Sequence, residues 1–407
     1  MLWVREPLGE ICRKGRGRIQ TGPFGSQLHG SDYSTDGTPV VMPADIADGK
    51  VAITRIARVA ENHVERLKRH KLAKGDIVYG RRGDIGRQAL VRDENVGWLC
   101  GTGCLKITLG NGPLSYEFLH RYLSTKAVVS WIEGQAVGAT MPNLNTGILE
   151  RVPVFYPEDR ATQKKIAATL TAYDDLIENN QRRIALLEKM AEEIYREWFV
   201  RMRFPCHENA KFSKGLPADW DTKRVKEIVV RKGFGRIYRE DELSDDGEVI
   251  VIDQSRADCL GYYDGEPQHM ASPDSPIILF GDHSCKMVLM TKPFSLAENV
   301  IPFMPKPKVS PYFLFHLVKD LARTTEYKRH WTDLTNREVL VPKESLQVEF
   351  ENVVKHNHEQ IEVLQQAILK AEKVRNMLLP RLISGKLSVE KLDIQFPPGM
   401  EEFAHEH

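Results

Sequence analysis

Large or apolar residues at Ile166, Leu170, Tyr173, Ile177, Ile184, Leu187, Ala191, Ile194 and Trp198 recur in alternating steps of four and three, with Asn180 taking one place in the series. A stripe with a mean step of 3.5 residues marks a coiled-coil seam rather than an ordinary surface helix. No Gly or Pro interrupts Thr162 to Phe199. The pattern predicts one helix about 57 Å long, at ~1.5 Å per residue. A second stripe runs through Phe350, Val354, Asn357, Ile361, Leu364, Ile368, Ala371, Arg375, Leu378 and Leu382. Aligning the two on Ile184 and Ile361, a shift of 177 residues, brings Leu187 onto Leu364, Tyr173 onto Phe350 and Asn180 onto Asn357. An unpaired amide against Leu is costly, so Asn in a seam penalises wrong registers. Either these two Asn serve that purpose or they sit at a solvated edge.

Upstream of each stripe the chain repeats itself. EICRKGRGRI (Glu10–Ile19) resembles EIVVRKGFGRI (Glu227–Ile237), which maps Gly17 to Gly235. In the same order, PVVMPADIADG resembles EVIVIDQSRADCLG, GDIVYG resembles PIILFG, YEFLHRYL resembles YFLFHLVK, and LERVPV (149–154) resembles EVLVPK (338–343). The fixed order argues for a duplication: globular part, long helix, globular part, long helix. Strand-like runs such as ALVRD and IILF, Gly-rich turns and one or two helices make each globular part α+β. The Pro- and Gly-containing stretch 204–220 reads as a linker. Residues after Leu392 read as a loosely held tail.

The chain of 407 residues carries a net charge of +1, which excludes a basic-tail protein. Residues 1–90 nonetheless hold 16 Lys and Arg against 10 Asp and Glu. Six cysteines in this length make no disulfide framework, and Cys100 and Cys104 lack a second pair with zinc spacing. No apolar run reaches the ~18–20 residues that span a bilayer, and the N-terminus lacks a signal-peptide pattern. The expected location is the cytoplasm.

The helical stretch 161–199 resembles the central region of the specificity subunits of type I restriction–modification systems. NMLLPRLISGKL (376–387) resembles the end of their second helical region, and GLPADW and GATMPNLNTGIL also look like family segments. The likeness covers about Leu8 to Leu392. It implies an α+β chain with two pseudo-repeated target recognition domains, separated by long helices that pair as an antiparallel coiled coil. The expected boundaries are 1–158 and 204–345 for the recognition domains, 159–203 and 346–392 for the helical spacers, and 393–407 for the tail. It further implies a non-catalytic reader of a split, asymmetric target in double-stranded DNA. Two methyltransferase subunits carrying S-adenosylmethionine would dock on the helices, and a restriction subunit using ATP and Mg would join them. The resemblance implies no cofactor in this chain and no membrane.

Residues suited to DNA contact follow from side-chain chemistry. Arg13, Lys14, Arg16 and Arg18, with Arg231, Lys232 and Arg236 in the second copy, could neutralise phosphates where glycines allow close backbone approach. The same loops could equally be solvated turns. Arg81, Arg82 and Arg87 flank Asp84; Arg can read guanine and Asp can accept from cytosine. The matching loop of the second copy carries His283 and Lys286. Gln254, which suits adenine, stands beside Arg256. Asn143 and Asn145 could reach DNA or satisfy their own loop. The seam residues Ile166, Leu170, Tyr173, Ile177, Asn180, Ile184, Leu187, Trp198, Val354, Asn357, Ile361, Leu364, Ile368 and Leu378 are expected to pack or to meet partner subunits.

Enzyme signatures fail. Pro397-Pro398 lacks the preceding acid or amide and the following aromatic residue of an amino-methyltransferase motif. Gly385-Lys386 lacks the rest of a nucleotide-binding loop. Glu326-Tyr327-Lys328 has no carboxylate partner for metal-assisted hydrolysis. The competing class is a coiled-coil adaptor whose globular parts bind proteins. Steep loss of affinity with salt would mark a DNA reader.

Overall fold

The long seam forms one continuous helix, and each half of it belongs to a different compact unit. The computed structural model describes residues 2–81, 85–135, 144–255, 259–323, 329–397 and 400. One unit comprises residues 1–178 and 368–407, the other 179–367.

In the first unit, β1 (Trp3–Pro7) leads into α1 (Leu8–Lys14) and then β2 (Arg16–Thr21). There follow β3 (Thr38–Val41), β4 (Ile77–Gly80), β5 (Gln88–Leu90), β6 (Leu99–Cys100) and β7 (Cys104–Gly110). The unit continues with α2 (Tyr116–Leu123), α3 (Thr146–Glu150), β8 (Pro153–Pro157) and the start of α4 (Arg160–Tyr195). The second unit repeats this order: β9 (Asp221–Arg224), α5 (Val225–Ile228), β10 (Val229–Arg231), β11 (Val249–Ile252), β12 (Ile277–Gly281), β13 (Met287–Met290), β14 (Phe294–Leu296), β15 (Val300–Pro305), α6 (Pro311–Val318), α7 (Trp331–Thr335), β16 (Glu338–Val341) and α8 (Glu344–Ile383).

The duplication is visible in the sheets. The central sheet runs β2-β7-β4-β5 in the first unit and β10-β15-β12-β13 in the second. The pair β3–β6 is parallel, as is β11–β14, and β1–β8 and β9–β16 are both antiparallel. Buried runs such as IVYG and IILFG sit in the middle of each sheet. A sheet helix covers each: α2 begins at Ser115, whose hydroxyl accepts from the Phe118 amide, and α6 begins at Ser310, whose hydroxyl accepts from the Phe313 amide.

A buried glutamine then locks each long helix to its unit. Gln163 accepts from the Ser115 amide at 2.7 Å and donates to Pro157 O at 2.8 Å. Gln347 accepts from the Ser310 amide at 2.9 Å and donates to Pro342 O at 2.8 Å. These anchors make Gln163 the counterpart of Gln347, a shift of 184 residues. The expected shift of 177 is therefore wrong by one heptad: Asn357 corresponds to Tyr173 and Asn180 to Leu364. A seam of period 3.5 looks the same after seven residues, so periodicity alone could not set the phase. The strand match also moves: VFYP (154–157) corresponds to VLVP (339–342), four residues from the register expected from LERVPV.

Within each unit the long helices meet antiparallel. Asp174 binds Arg375 at 2.7 Å in the first, and Phe199 packs edge-on to Phe350 at 5.1 Å in the second. In an antiparallel pair of this register, Asn357 faces the level of Glu192, about 12 residues or ~18 Å along α4 from Asn180. The two amides do not pair, and Asn357 Nδ2 has no hydrogen-bond partner. Ile166, Leu170, Leu382 and Ile383 join the core of the first unit with Leu8, Phe118 and Ile148. Ala191, Phe199, Phe350 and Val354 join the core of the second with Phe280, Phe303 and Phe313. Trp198 packs on Phe350, as expected for a seam residue.

The C-terminal helix, expected to run to Leu392, ends at Ile383, and the residues just after it pack on the first unit. Val389 is buried, Ile394 packs against the first core, and Lys165 Nζ donates to Glu390 O and Leu392 O at 2.8 Å. The cysteines among Cys12, Cys100 and Cys104 are buried free thiols. Among the described residues no helix is long and apolar enough to cross a membrane.

The second core contains two facing imidazoles. His316 Nε2 lies 3.4 Å from His358 Nε2, among Tyr195, Phe315 and Phe350. Burial pushes His316 down to about 3, helped by His358 and Lys319. It pushes His358 down to about 4, helped by Lys319. Both folded values lie below the ordinary histidine value, so the unfolded chain takes up protons first. The stability they support is present above pH ~6.5 and is lost as pH falls toward 4. In the first unit, burial likewise depresses His120, to about 3, and His70, to about 4. Melting temperature should fall across this window, and His316→Phe with His358→Phe should flatten the curve by the part due to the second unit. An unchanged slope in that double variant would show that the pair does not govern acid sensitivity.

Candidate nucleic-acid interface

The ladders give the two units a common coordinate frame. Gly80 faces Cys104 and Gly281 faces Val300, so the C-terminal ends of β4 and β12 are equivalent. Ile107 faces Ile19, whereas its counterpart Phe303 faces Arg231. Arg18 therefore corresponds to Val230, not to Arg236.

The expected match between the two basic phrases is displaced in the fold. Both helices preceding the edge strand start alike: the Leu8 amide bonds Val152 O and the Val225 amide bonds Arg337 O. However, α1 has seven residues and α5 four. Five residues fewer separate helix start and strand in the second unit, so its RKGFGR begins on the last residue of the edge strand and runs on beyond it. In the first unit RKGRGR ends the helix and begins the strand. The glycine-arginine phrase recurs at two different places.

The cations differ in engagement as well. Lys14 is paired with Glu6 at 2.5 Å and Arg13 lies 4.0 Å from Glu10. Arg16 and Arg18 are exposed on β2, with no acidic partner among the described residues. In the second unit Arg236 binds Glu242 at 2.5 Å and lies over Tyr238, while Arg231 lies over Phe234. The carboxylate of Glu242 is held low by the Arg239 amide and by Arg236. Lys232 is exposed.

At the Gly80 end, Arg81 is half-buried and its Nε donates to Leu144 O at 3.1 Å, which ties the loop to the start of α3. Arg87 is exposed beside a cleft of about 690 Å3 in the first unit, whose walls include Asp48, Gln88, Arg121, Asp174 and Arg375. Asp174 bridges Arg121 and Arg375. Asn145 is a helix cap: its side chain accepts from the Ile148 amide at 2.9 Å. At the equivalent Gly281 end, the structure brings Gln254, His283 and Lys286 together. Gln254 Oε1 accepts from the His283 amide at 3.1 Å, and Lys286 Nζ reaches Asp253 O at 3.4 Å. Gln254 thus commits one lone pair of its oxygen to the neighbouring loop, which fixes the side chain beside His283. Arg82, Asn143 and Arg256 lie outside the described residues.

Two features escaped the sequence reading. The run Arg66, Lys68, Arg69 and Lys71 sits beside β2; its density of basic residues was the available signal. The anchors Gln163 and Gln347 gave a weaker one, a glutamine five or six residues after a proline in each copy.

The seam residues are largely interior, while the opposite helix faces carry exposed apolar side chains. They include Leu176, Leu369, Val374 and Met377 in the first unit, and Leu186, Met190, Val348, Val353 and Val363 in the second.

Residues 3–189 match the model of the type I restriction modification DNA specificity domain family. The type I restriction enzyme MjaIX specificity subunit of Methanocaldococcus jannaschii is 27% identical over 393 residues, covering 89% of each chain. The HindI specificity subunit of Haemophilus influenzae is 26% identical over 201 residues, covering 49% of this chain and 41% of its own. Among solved structures, a type I restriction–modification S subunit from M. genitalium superposes with a TM-score of 0.59 at 15% identity, over 94% of this chain and 96% of its own. That last likeness concerns the fold.

Proposed function

We propose that this chain, which belongs to the family of type I restriction–modification specificity subunits, reads a bipartite asymmetric DNA target without catalysing a reaction itself. The observation that carries this reading is one scaffold built twice with different chemistry at the same place. Equivalent strand ends at Gly80 and Gly281 are followed by Arg81 and Arg87 in one unit and by His283 and Lys286 in the other. Arginine favours guanine edges, whereas a loop of His, Lys and a Gln amide offers another donor set. Two readers with unlike loops suit two unlike half-sites.

Two methyltransferase subunits are the expected partners of the outward apolar side chains on the long helices, since exposed apolar stripes mark interaction surfaces. They would bring S-adenosylmethionine and methylate adenine; a restriction subunit would bring ATP and Mg chemistry. The adaptor alternative draws on the near-neutral net charge and on the internal pairing of Arg236 with Glu242.

The test is to express the chain with its neighbouring methyltransferase and map modified adenines in the host DNA. A two-part asymmetric motif that depends on this chain is the expected result. A stable complex that adds no methylation, and whose DNA affinity does not change with salt, would favour the adaptor.

A further inference from the structure

We propose that the outward face of β2 and the neighbouring segment Lys68–His70 form a phosphate-binding ridge that grips the DNA backbone in the first unit only. Resting on the functional reading above, the inference adds where sequence-independent contact is made. Arg18 and Gln20 share one face of the strand, and Arg16 stands exposed at its start. Gln20 Nε2 donates to Arg69 O at 2.7 Å, which fastens the basic segment alongside. Arg69 Nε donates to His70 Nε2 at 2.9 Å. Arg16, Arg18, Lys68 and Arg69 are exposed, and none has an acidic partner among the described residues. Four unpaired cations on one surface make a polyanion site by charge complementarity. His70 is held neutral near pH 7, by burial first and then by Arg69, Lys106 and Arg18. The ridge's charge therefore comes from guanidinium and ammonium groups and is constant around neutral pH.

A buried strut supports the ridge. Lys106 lies 3.3 Å from Asp76, and Lys106 Nζ donates to Lys71 O at 2.7 Å. Asp76 also accepts from Thr108 Oγ1 at 2.6 Å and from the Ala73 amide at 2.9 Å. Arg16 adds a further sign: it holds a left-handed φ of 57° although Gly stands on either side of it. Arginine is strained there relative to glycine, which is consistent with selection for its charge.

The second unit carries a single cation on the equivalent face, Lys232 at the place of Gln20, and lacks the rest of the ridge. Val230 stands where Arg18 stands, and the segment 266–276, EPQHMASPDSP, contains no Lys or Arg. A surface with four cations in one copy and one in the other does not fit the base reading that both copies share. Contact with phosphates flanking the first half-site is the role its chemistry fits.

The experiment measures affinity of the complete complex with its methyltransferase subunits for a duplex carrying its own motif and for a scrambled duplex, across a salt series. Arg18→Gln with Arg69→Gln should lower the slope of log K against log salt by about two, because each phosphate contact contributes ~0.9. The loss should be equal on both duplexes, with the methylated motif unchanged. Arg16→Gly, which suits the left-handed backbone at that position, should lower the slope by about one. Unchanged slopes in variants that still methylate the motif would overturn the ridge alone, as would a loss confined to one base position. A parent complex that binds no DNA would overturn the functional reading and the ridge together.

Discussion

Asp76→Ala should cost the first unit about 3–5 kcal/mol, because it strands the Lys106 ammonium inside the fold. Both side chains of the pair are almost fully buried, at 2% exposure for Asp76 and 8% for Lys106. Removing the carboxylate also unpairs Thr108 Oγ1 and the Ala73 amide. For a unit of this size the melting temperature should drop by roughly 6–20 °C. Adding Lys106→Met should recover most of that loss, since a buried pair replaced on both sides is often close to neutral. Thermal melts of the single and double variants check this. A double variant no more stable than Asp76→Ala would mean that the hydrogen bonds to Thr108 and Ala73, not the stranded charge, dominate the cost. The single variant should also weaken the ridge, because Lys106 holds the Lys71 carbonyl.

Much of this architecture was legible in the sequence, and the errors share one cause. The two seams and the duplication follow from composition and period, which burial enforces along tens of residues. What periodicity cannot supply is phase. The heptad slip between the helices arose because Ile184 and Ile361 match as well as Ile177 and Ile361 do. Only Gln163 and Gln347, each fixed by hydrogen bonds to a proline carbonyl and a serine amide, decide between them. The basic phrases misled in the same way: arginine and glycine recur cheaply in loops, whereas the strand ladder shows Arg18 opposite Thr108 and Arg231 opposite Phe303. At the candidate interface the residue types were visible, but their engagement was not. Nothing in the sequence says that Arg236 is paired with Glu242 or that Gln254 accepts from His283.

Seven residues inserted into α4 after Glu178 and seven into α8 after Ala367 should lengthen the DNA spacer while leaving both half-sites unchanged. The seams are antiparallel, so an insertion in one helix has to be matched in the other. A full heptad keeps the apolar stripe in phase. The added helix is about 10.5 Å long, close to three base pairs at 3.4 Å each. Three base pairs also turn the second half-site by about a third of a turn around the duplex. Methylation of the lengthened motif should therefore be slower than that of the original by the parent. Inserting four residues into α4 alone should behave differently: about 6 Å of helix has no counterpart in α8, the seam loses register, and methylation should be lost. Mapping modified adenines for the three proteins separates the outcomes. A paired insertion that methylates the original spacing would show that the helices do not set the interval. A paired insertion that folds but shifts the spacing by the expected amount would make helix length the measuring element of the complex.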